Sequence, residues 1–350
     1  MSTIKTAITR LLGIKTPIVL APMGGASGGA LASEVSLAGG FGFLSPAYTG
    51  VDKFRDEFHI ARSILNRPSG PLPIGAGFLG WKLEEERSPH VALLELALEN
   101  GVQAIWLSFG EDLGRWIDLV RNHDQKSGKT PSTLIFVQVN TVEEALIAFK
   151  NWKVDVLVAQ GIESGGHGSA SAPPVFNLVP QILSALSALP SSGAPPPVLA
   201  AGGLSSGAHL SAFLTLGAAG AVVGTRFLVA EECQYSDVQK RAIIAAKSSS
   251  AVRSYVFDKL RDTTGWPAGV NGRALAMPAV EAVESGADIA KVKEEVAEGA
   301  KRGDPSSSIT WAGTGVGPLY RLQPAKDIVR ELHDAAVAYL KASSALLGDA

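Results

Sequence analysis

The sequence predicts a (β/α)8 TIM barrel carrying a smaller, mainly helical cap inserted after its eighth strand. Three observations predict it. Eight short apolar runs alternate with helical stretches between Pro17 and Arg226, and no connection needs a hairpin. The runs are continuously apolar instead of alternating, as parallel strands buried on both faces are. Glycine-rich segments follow several of them, where strands of this fold turn into functional loops. A doubly wound open sheet is the alternative, but it normally uses fewer strands over this length.

A short amphipathic stretch containing Lys5 and Arg10 leads into the first run, Pro17–Met23, followed by Gly24, Gly25, Gly28 and Gly29. The second run is Phe41–Ser45, the third Leu72–Phe78 and the fourth Ala104–Phe109. Between them, Asp52–Asn66 and Pro89–Asn100 repeat apolar residues at helical spacing. Leu134–Val139 is the fifth, and Asn140 and Thr141 beyond it suit the N-cap of a helix whose first turn holds Glu143 and Glu144. The sixth, Val154–Ala159, opens into GIESGGHGSAS. After the break SSGAPPP come the seventh, Pro197–Ala201, and the eighth, Ala221–Gly224. The alternation then stops. Tyr235–Lys247 and Ile289–Lys301 read as exposed amphipathic helices separated by an irregular, turn-rich stretch. A last helix from Pro324 to about Ala345 returns to the barrel wall. These boundaries give a barrel of residues 1–227 plus 321–350 and a cap of residues 228–320.

With 46% hydrophobic and 18% charged residues, the 350-residue chain is that of a folded α/β protein. A net charge of −2 offers no electrostatic case for nucleic acid or an anionic membrane. No apolar stretch has the length of a membrane span, and neither terminus reads as a targeting signal, so a cytoplasmic location is expected. The single cysteine, Cys233, excludes an internal disulfide and a cysteine-ligated metal cluster. His59, His90, His123, His209 and His333 share no ligand spacing, and no metal is expected.

Two glycine signals stand out: Gly202 and Gly203 after the seventh run, and Gly224 with Thr225 after the eighth. Loops at these positions form the usual phosphate site of the fold, with glycine letting backbone N–H groups approach the oxygens. Neither has the spacing of a nucleoside-triphosphate loop or a dinucleotide fingerprint, which favours a mononucleotide. His167, held among Gly165, Gly166 and Gly168, follows the sixth run, where barrel enzymes place their chemistry. Histidine titrates near neutrality and so suits either a base that takes a proton or a donor that positions an anion by a charge-assisted hydrogen bond. Glu163 beside it either orients a neighbour or caps the loop.

Four segments, GIKTPIVLAPMGG, AQGIESGGHG, VLAAGGL and AVVGTRF, together resemble the nitronate monooxygenases, formerly called 2-nitropropane dioxygenases, which depend on FMN. The likeness runs in order from about Gly13 to Phe227 and resumes at WAGTGVG. It implies that Pro22, Met23 and Gly24 lie against the flavin ring and that Gln138 reaches its pyrimidine edge. Gln160, Gly165 and Gly166 would adjoin the flavin. Gly202, Gly203, Gly224 and Thr225 would hold its phosphate, and His167 would be the catalytic residue. The implied reaction is oxidation of alkyl nitronates such as propionate 3-nitronate, and of nitroalkanes, by O2 to a carbonyl compound and nitrite. A small-molecule substrate and a monomer or homodimer follow as expectations. The rival activity is an NAD(P)H-dependent FMN reductase of quinones or enoyl thioesters, because fold and phosphate loops do not separate the two. A non-catalytic barrel binding a phosphate ligand is the third reading.

Overall fold

A computed structural model describes residues 3–189 and 194–346. The start of the SSGAPPP break and the last four residues of the LLGDA terminus lie outside the described residues. Helix α1 (Ala7–Leu12) begins at a Thr6–Thr9 capping box and ends at Gly13. Strand β1 (Ile18–Leu20) follows, then α2 (Gly29–Leu37), β2 (Phe43–Leu44) and α3 (Val51–Ile64). Next come β3 (Leu72–Leu79), α4 (Gly80–Glu84), α5 (Pro89–Glu99), β4 (Val102–Ser108), α6 (Leu113–Ser127), β5 (Leu134–Val139) and α7 (Val142–Lys150). Thr141 caps α7 by accepting from the Glu144 backbone N–H at 3.1 Å.

The chain continues through β6 (Val156–Gln160), β7 (Gly166–Ser169), α8 (Val175–Ser187), β8 (Val198–Ala201), α9 (Gly207–Thr215) and β9 (Gly220–Val223). Eight of these strands form one parallel sheet in the order β1-β9-β8-β6-β5-β4-β3-β2. A parallel bridge between Val19 and Phe41 joins its two edges. There Leu20 N–H donates to Phe41 O at 2.9 Å and Phe41 N–H to Ile18 O at 3.0 Å.

Alternate residues sort inward and outward, as the two-residue period of a strand requires. Val19, Phe136, Val156, Val158 and Leu199 fill the lumen, while Ile18, Leu20, Ile135, Val137 and Leu157 pack beneath the helices. Phe43 is central to the lumen, with its ring 5.1 Å from Phe136 and 5.3 Å from Trp106, both edge to face. Such pairs add about 1 kcal/mol each beyond the area they bury. Gly75 makes room for that ring, since a Cβ there would stand 2.2 Å from Phe43.

Beyond β9 a 3-10 turn (Thr225–Val229) leads to the cap: α10 (Asp237–Ala245), β10 (Ala251–Ser254), α11 (Val256–Arg261), β11 (Val270–Leu275), α12 (Pro278–Glu284) and α13 (Ile289–Lys301). Helix α14 (Ala325–Ser344) then packs against α9 and α2 on the barrel wall. Where the sequence suggests only an irregular stretch, β10 and β11 pair antiparallel, and β11 pairs antiparallel with β7. The glycine-rich segment after β6 is therefore part strand. Its Gly-His-Gly-Ser has little intrinsic strand preference, so pairing with β11 imposes the conformation.

Candidate active site

The carboxyl ends of the barrel strands open into a cavity of about 210 Å³ roofed by the cap. Trp106 of the lumen forms part of its lining, which continues the packed interior into the floor of the site. All twelve residues singled out in the sequence line it: Pro22, Met23, Gly24, Gln138, Gln160, Gly165, Gly166, His167, Gly202, Gly203, Gly224 and Thr225. Gly77 helps to place the first three, because a Cβ there would stand 2.3 Å from Pro22.

His167 sits on β7, paired with Gly272 of β11. Its ring lies 3.6 Å from that of Trp266, centroid to centroid and within 8° of parallel, with Trp311 at 4.9 Å and 53°. Nε2 is 2.8 Å from Oδ1 of Asp258, on α11. Burial lowers the His167 pKa from its ordinary 6.5; Asp258 opposes the shift and Arg261 and Arg253 reinforce it. The ring is therefore neutral at neutral pH.

Gln138 is the penultimate residue of β5, and its buried Nε2 has no protein partner among the described residues. A cavity-lining donor without a partner calls for an acceptor on a bound molecule. Gln160 is occupied at both ends: its Nε2 donates to His167 O at 3.3 Å, and its Oε1 accepts from Asn140 Nδ2 at 3.1 Å. It braces the backbone of the histidine.

Gly202 and Gly203, at the end of β8, take left-handed φ values of 114° and 73° that side chains rarely adopt. Thr225, after β9, accepts from Gly313 N–H at 2.9 Å, and its hydroxyl hydrogen is left to donate. The returning segment Trp311–Gly317 thereby joins the two glycine loops, with Gly315 on the cavity wall. Glu163 proves to be a cap: its carboxylate accepts from Val175 N–H, the first residue of α8, at 3.0 and 3.1 Å.

Sequence reasoning passed over Tyr48, Asp258, Arg261 and Trp266. Tyr48 comes from the loop after β2, which His90 anchors through Nε2 at 2.7 Å from Ala47 O. Burial pushes its hydroxyl up to about 12, so it stays protonated at neutral pH. The Arg261 guanidinium is exposed at the cavity mouth, 5.8 Å from the rings of both Tyr48 and Trp311. The one available signal was the pair of aromatics, Trp266 and Trp311, in turn-rich cap sequence. Nothing local marks Asp258. No three His, Cys, Asp or Glu side chains come together to hold a metal among the described residues.

Barrel, cavity at the strands' carboxyl ends and cap together define a TIM-barrel enzyme. A family model for nitronate monooxygenase matches residues 5–75 and 82–334. Nitronate monooxygenase npaC of Metarhizium robertsii is 36% identical over 348 residues, covering 93% of this chain and 92% of that protein. A nitronate monooxygenase of Neurospora crassa is 33% identical over 353 residues, covering 93% of this chain and 91% of that protein. The solved structure of FabK from Thermotoga maritima shares the fold, with a TM-score of 0.78 at 23% identity over 99% of this chain and 100% of its own. The chain belongs to the nitronate monooxygenase family and is a flavin-dependent oxidoreductase. No helix among the described residues is long and apolar enough to cross a membrane.

Proposed function

We propose that the protein binds FMN and oxidises alkyl nitronates, and the corresponding nitroalkanes, with O2 to a carbonyl compound and nitrite. The observation that carries this reading is the cavity itself. It joins a neutral histidine, an unpartnered amide donor and two glycine loops at a barrel's phosphate position in one continuous wall. Gly202, Gly203, Gly224 and Thr225 would hold the phosphate with backbone and hydroxyl donors. The buried Gln138 Nε2 fits the acceptor edge of an isoalloxazine. Pro22, Met23, Gly24, Gly165 and Gly166 offer small or flat surfaces for the ring, and Gln160 supports His167 from behind. When bound, the flavin supplies the electron transfer that a protein side chain cannot.

The chain's own contribution is orientation and proton handling. His167, neutral and stacked on Trp266, is the catalytic residue that meets the proton α to a nitro group or the nitronate formed from it. Trp266, Trp311 and Tyr48 shield that atom from bulk water, and the cap, residues 228–320, closes over the substrate.

The deciding experiment compares O2 uptake by the purified yellow protein with propionate 3-nitronate against NADH plus a quinone. Nitrite release in proportion to nitronate supports the reading. Rapid anaerobic bleaching by NADH, without nitrite from nitronates, would overturn it in favour of a quinone or enoyl-thioester reductase. A colourless protein would favour a non-catalytic phosphate-ligand binder.

A further inference from the structure

The nitrogen on which His167 acts follows from its neighbours. The charged groups facing the ring are Asp258, Arg261 and Arg253. The two guanidiniums have only donors, and Arg253 commits its terminal nitrogens to carbonyls of β7, β11 and the preceding loop. Asp258 is thus the one acceptor among them. Its Oδ1 already accepts from Thr263 Oγ1 at 2.9 Å and lies 2.8 Å from His167 Nε2. A carboxylate accepts only and has no hydrogen to give, so Nε2 carries it. In a neutral imidazole that leaves Nδ1 with the lone pair. Nδ1 has no protein partner among the described residues, and His167 lines the cavity.

We infer that Asp258, delivered by helix α11 of the cap, is the positioning residue that holds His167 as the Nε2–H tautomer and directs the Nδ1 lone pair at the substrate. The inference rests on the nitronate reading for the identity of that substrate. It assigns His167 the role of base: a ring whose only hydrogen is shared with Asp258 has none to donate to a nitronate oxygen. In the step this supports, the C–H bond α to the nitro group breaks. Its electron pair becomes the C=N bond of the nitronate, and the proton passes to Nδ1. The imidazolium so formed is stabilised by the Asp258 charge, 2.8 Å away. A nitronate supplied ready-made needs no such transfer and does not depend on Asp258.

Two readouts test this on the protein as purified. Long-range proton–nitrogen NMR with nitrogen-15 histidine, His167 being assigned by its loss in His167→Asn, reports the tautomer and the titration. The expected result is Nε2–H in the wild type, with the His167 titration moving to lower pH in Asp258→Asn, which keeps the shape and removes the charge. Asp258→Asn is also expected to lose about 10²–10⁴ in turnover of a neutral nitroalkane while largely keeping turnover of the same compound's preformed nitronate. Should that variant not fold, the wild-type tautomer decides, and Asp258→Glu, which keeps the charge, retains it. Nδ1–H in the wild type, an unmoved titration, or parallel loss on both substrates in a folded variant overturns the inference. If the wild type oxidises nitronates but not nitroalkanes, the base assignment falls and the nitronate reading stands. If nitronates are not oxidised at all, that reading falls, and the NMR still judges Asp258.

Discussion

Gly272 lies opposite His167 on β11, and its missing side chain is what lets Trp311 reach the histidine. A Cβ at this position would stand 2.3 Å from Trp311 Cζ3 and 2.8 Å from Cη2. Carbon atoms settle about 3.5–4.0 Å apart, so Gly272→Ala must move the indole by about 1 Å or more. The ring has little freedom to yield. Phe257 packs edge to face against it at 5.6 Å, and its backbone is bridged to Ala274. Overpacking of this kind costs about 1–3 kcal/mol of stability. The larger consequence is for catalysis, because a shift of about 1 Å in a positioning group can cost about 10²-fold in rate. Expected, then, is a folded protein with a lower urea midpoint, cofactor still bound, and kcat on a neutral nitroalkane reduced by up to about 10²-fold. Urea unfolding, flavin absorbance and O2 uptake check the three parts. Wild-type kcat in Gly272→Ala would show that Trp311 does not position His167.

Replacing Gln138 with Leu removes the buried donor that has no protein partner, and the loss of one such hydrogen bond should weaken cofactor binding by roughly tenfold or less; flavin titration of the apoprotein measures it. Thr225→Val leaves Gly313 N–H without its acceptor and should cost about 1–3 kcal/mol in urea unfolding as well as loosening the cofactor; unchanged values for both would remove Thr225 from the phosphate site. Because burial depresses His167, the acid limb of kcat/KM on a nitroalkane should lie below pH 6.5 and disappear in His167→Asn; a limb at or above 6.5 contradicts the buried, neutral ring. The same depression affects stability. As pH falls, the unfolded chain takes up this proton first, so the stability contributed by the neutral ring is present above 6.5 and is lost as pH drops toward the folded-state pKa. Comparing urea midpoints of wild type and His167→Asn across that range isolates it.

The barrel was legible because each of its parts leaves a local trace. A parallel strand buried on both faces must be apolar throughout, and Leu134–Val139 coincides with β5 to the residue. Loops at carboxyl ends need glycine where φ is positive, and Gly166, Gly202 and Gly203 are left-handed. The glycine loop after β8, part of the proposed phosphate position, could be read for the same reason. What escaped notice depends on pairing between distant segments. Strands β7, β10 and β11 hold Gly166, Gly168, Arg253 and Arg273, with no two-residue hydrophobic period to announce a strand. Asp258 stands 91 positions from His167 in an ordinary-looking VFDKLRD helix, and only the packing of the cap brings them together.

That distance matters for how the site is built. His167 leaves β6 with the barrel, yet its backbone is paired to β11, its ring is stacked on Trp266 and its Nε2 is held by Asp258, all from the cap segment. Neighbouring loops are tied in as well: the one after β9 through Gly313 N–H to Thr225, and the one after β6 through Thr314 N–H to the Glu163 carbonyl at 3.0 Å. A barrel alone would keep the glycine loops, Gln138 and the Gln160 brace on the His167 backbone, but it would lack the ring stacking of Trp266 and the charge of Asp258. The glycines around His167 consequently meet two demands at once: Gly166 turns the chain through a left-handed φ of 65° toward the cap, and Gly165 packs against the backbone of Ala312 and Gly313, where a Cβ would stand 2.3 Å from the Gly313 nitrogen. His167 thus sits at the seam where cap and barrel meet, and the orientation of its ring depends on that contact.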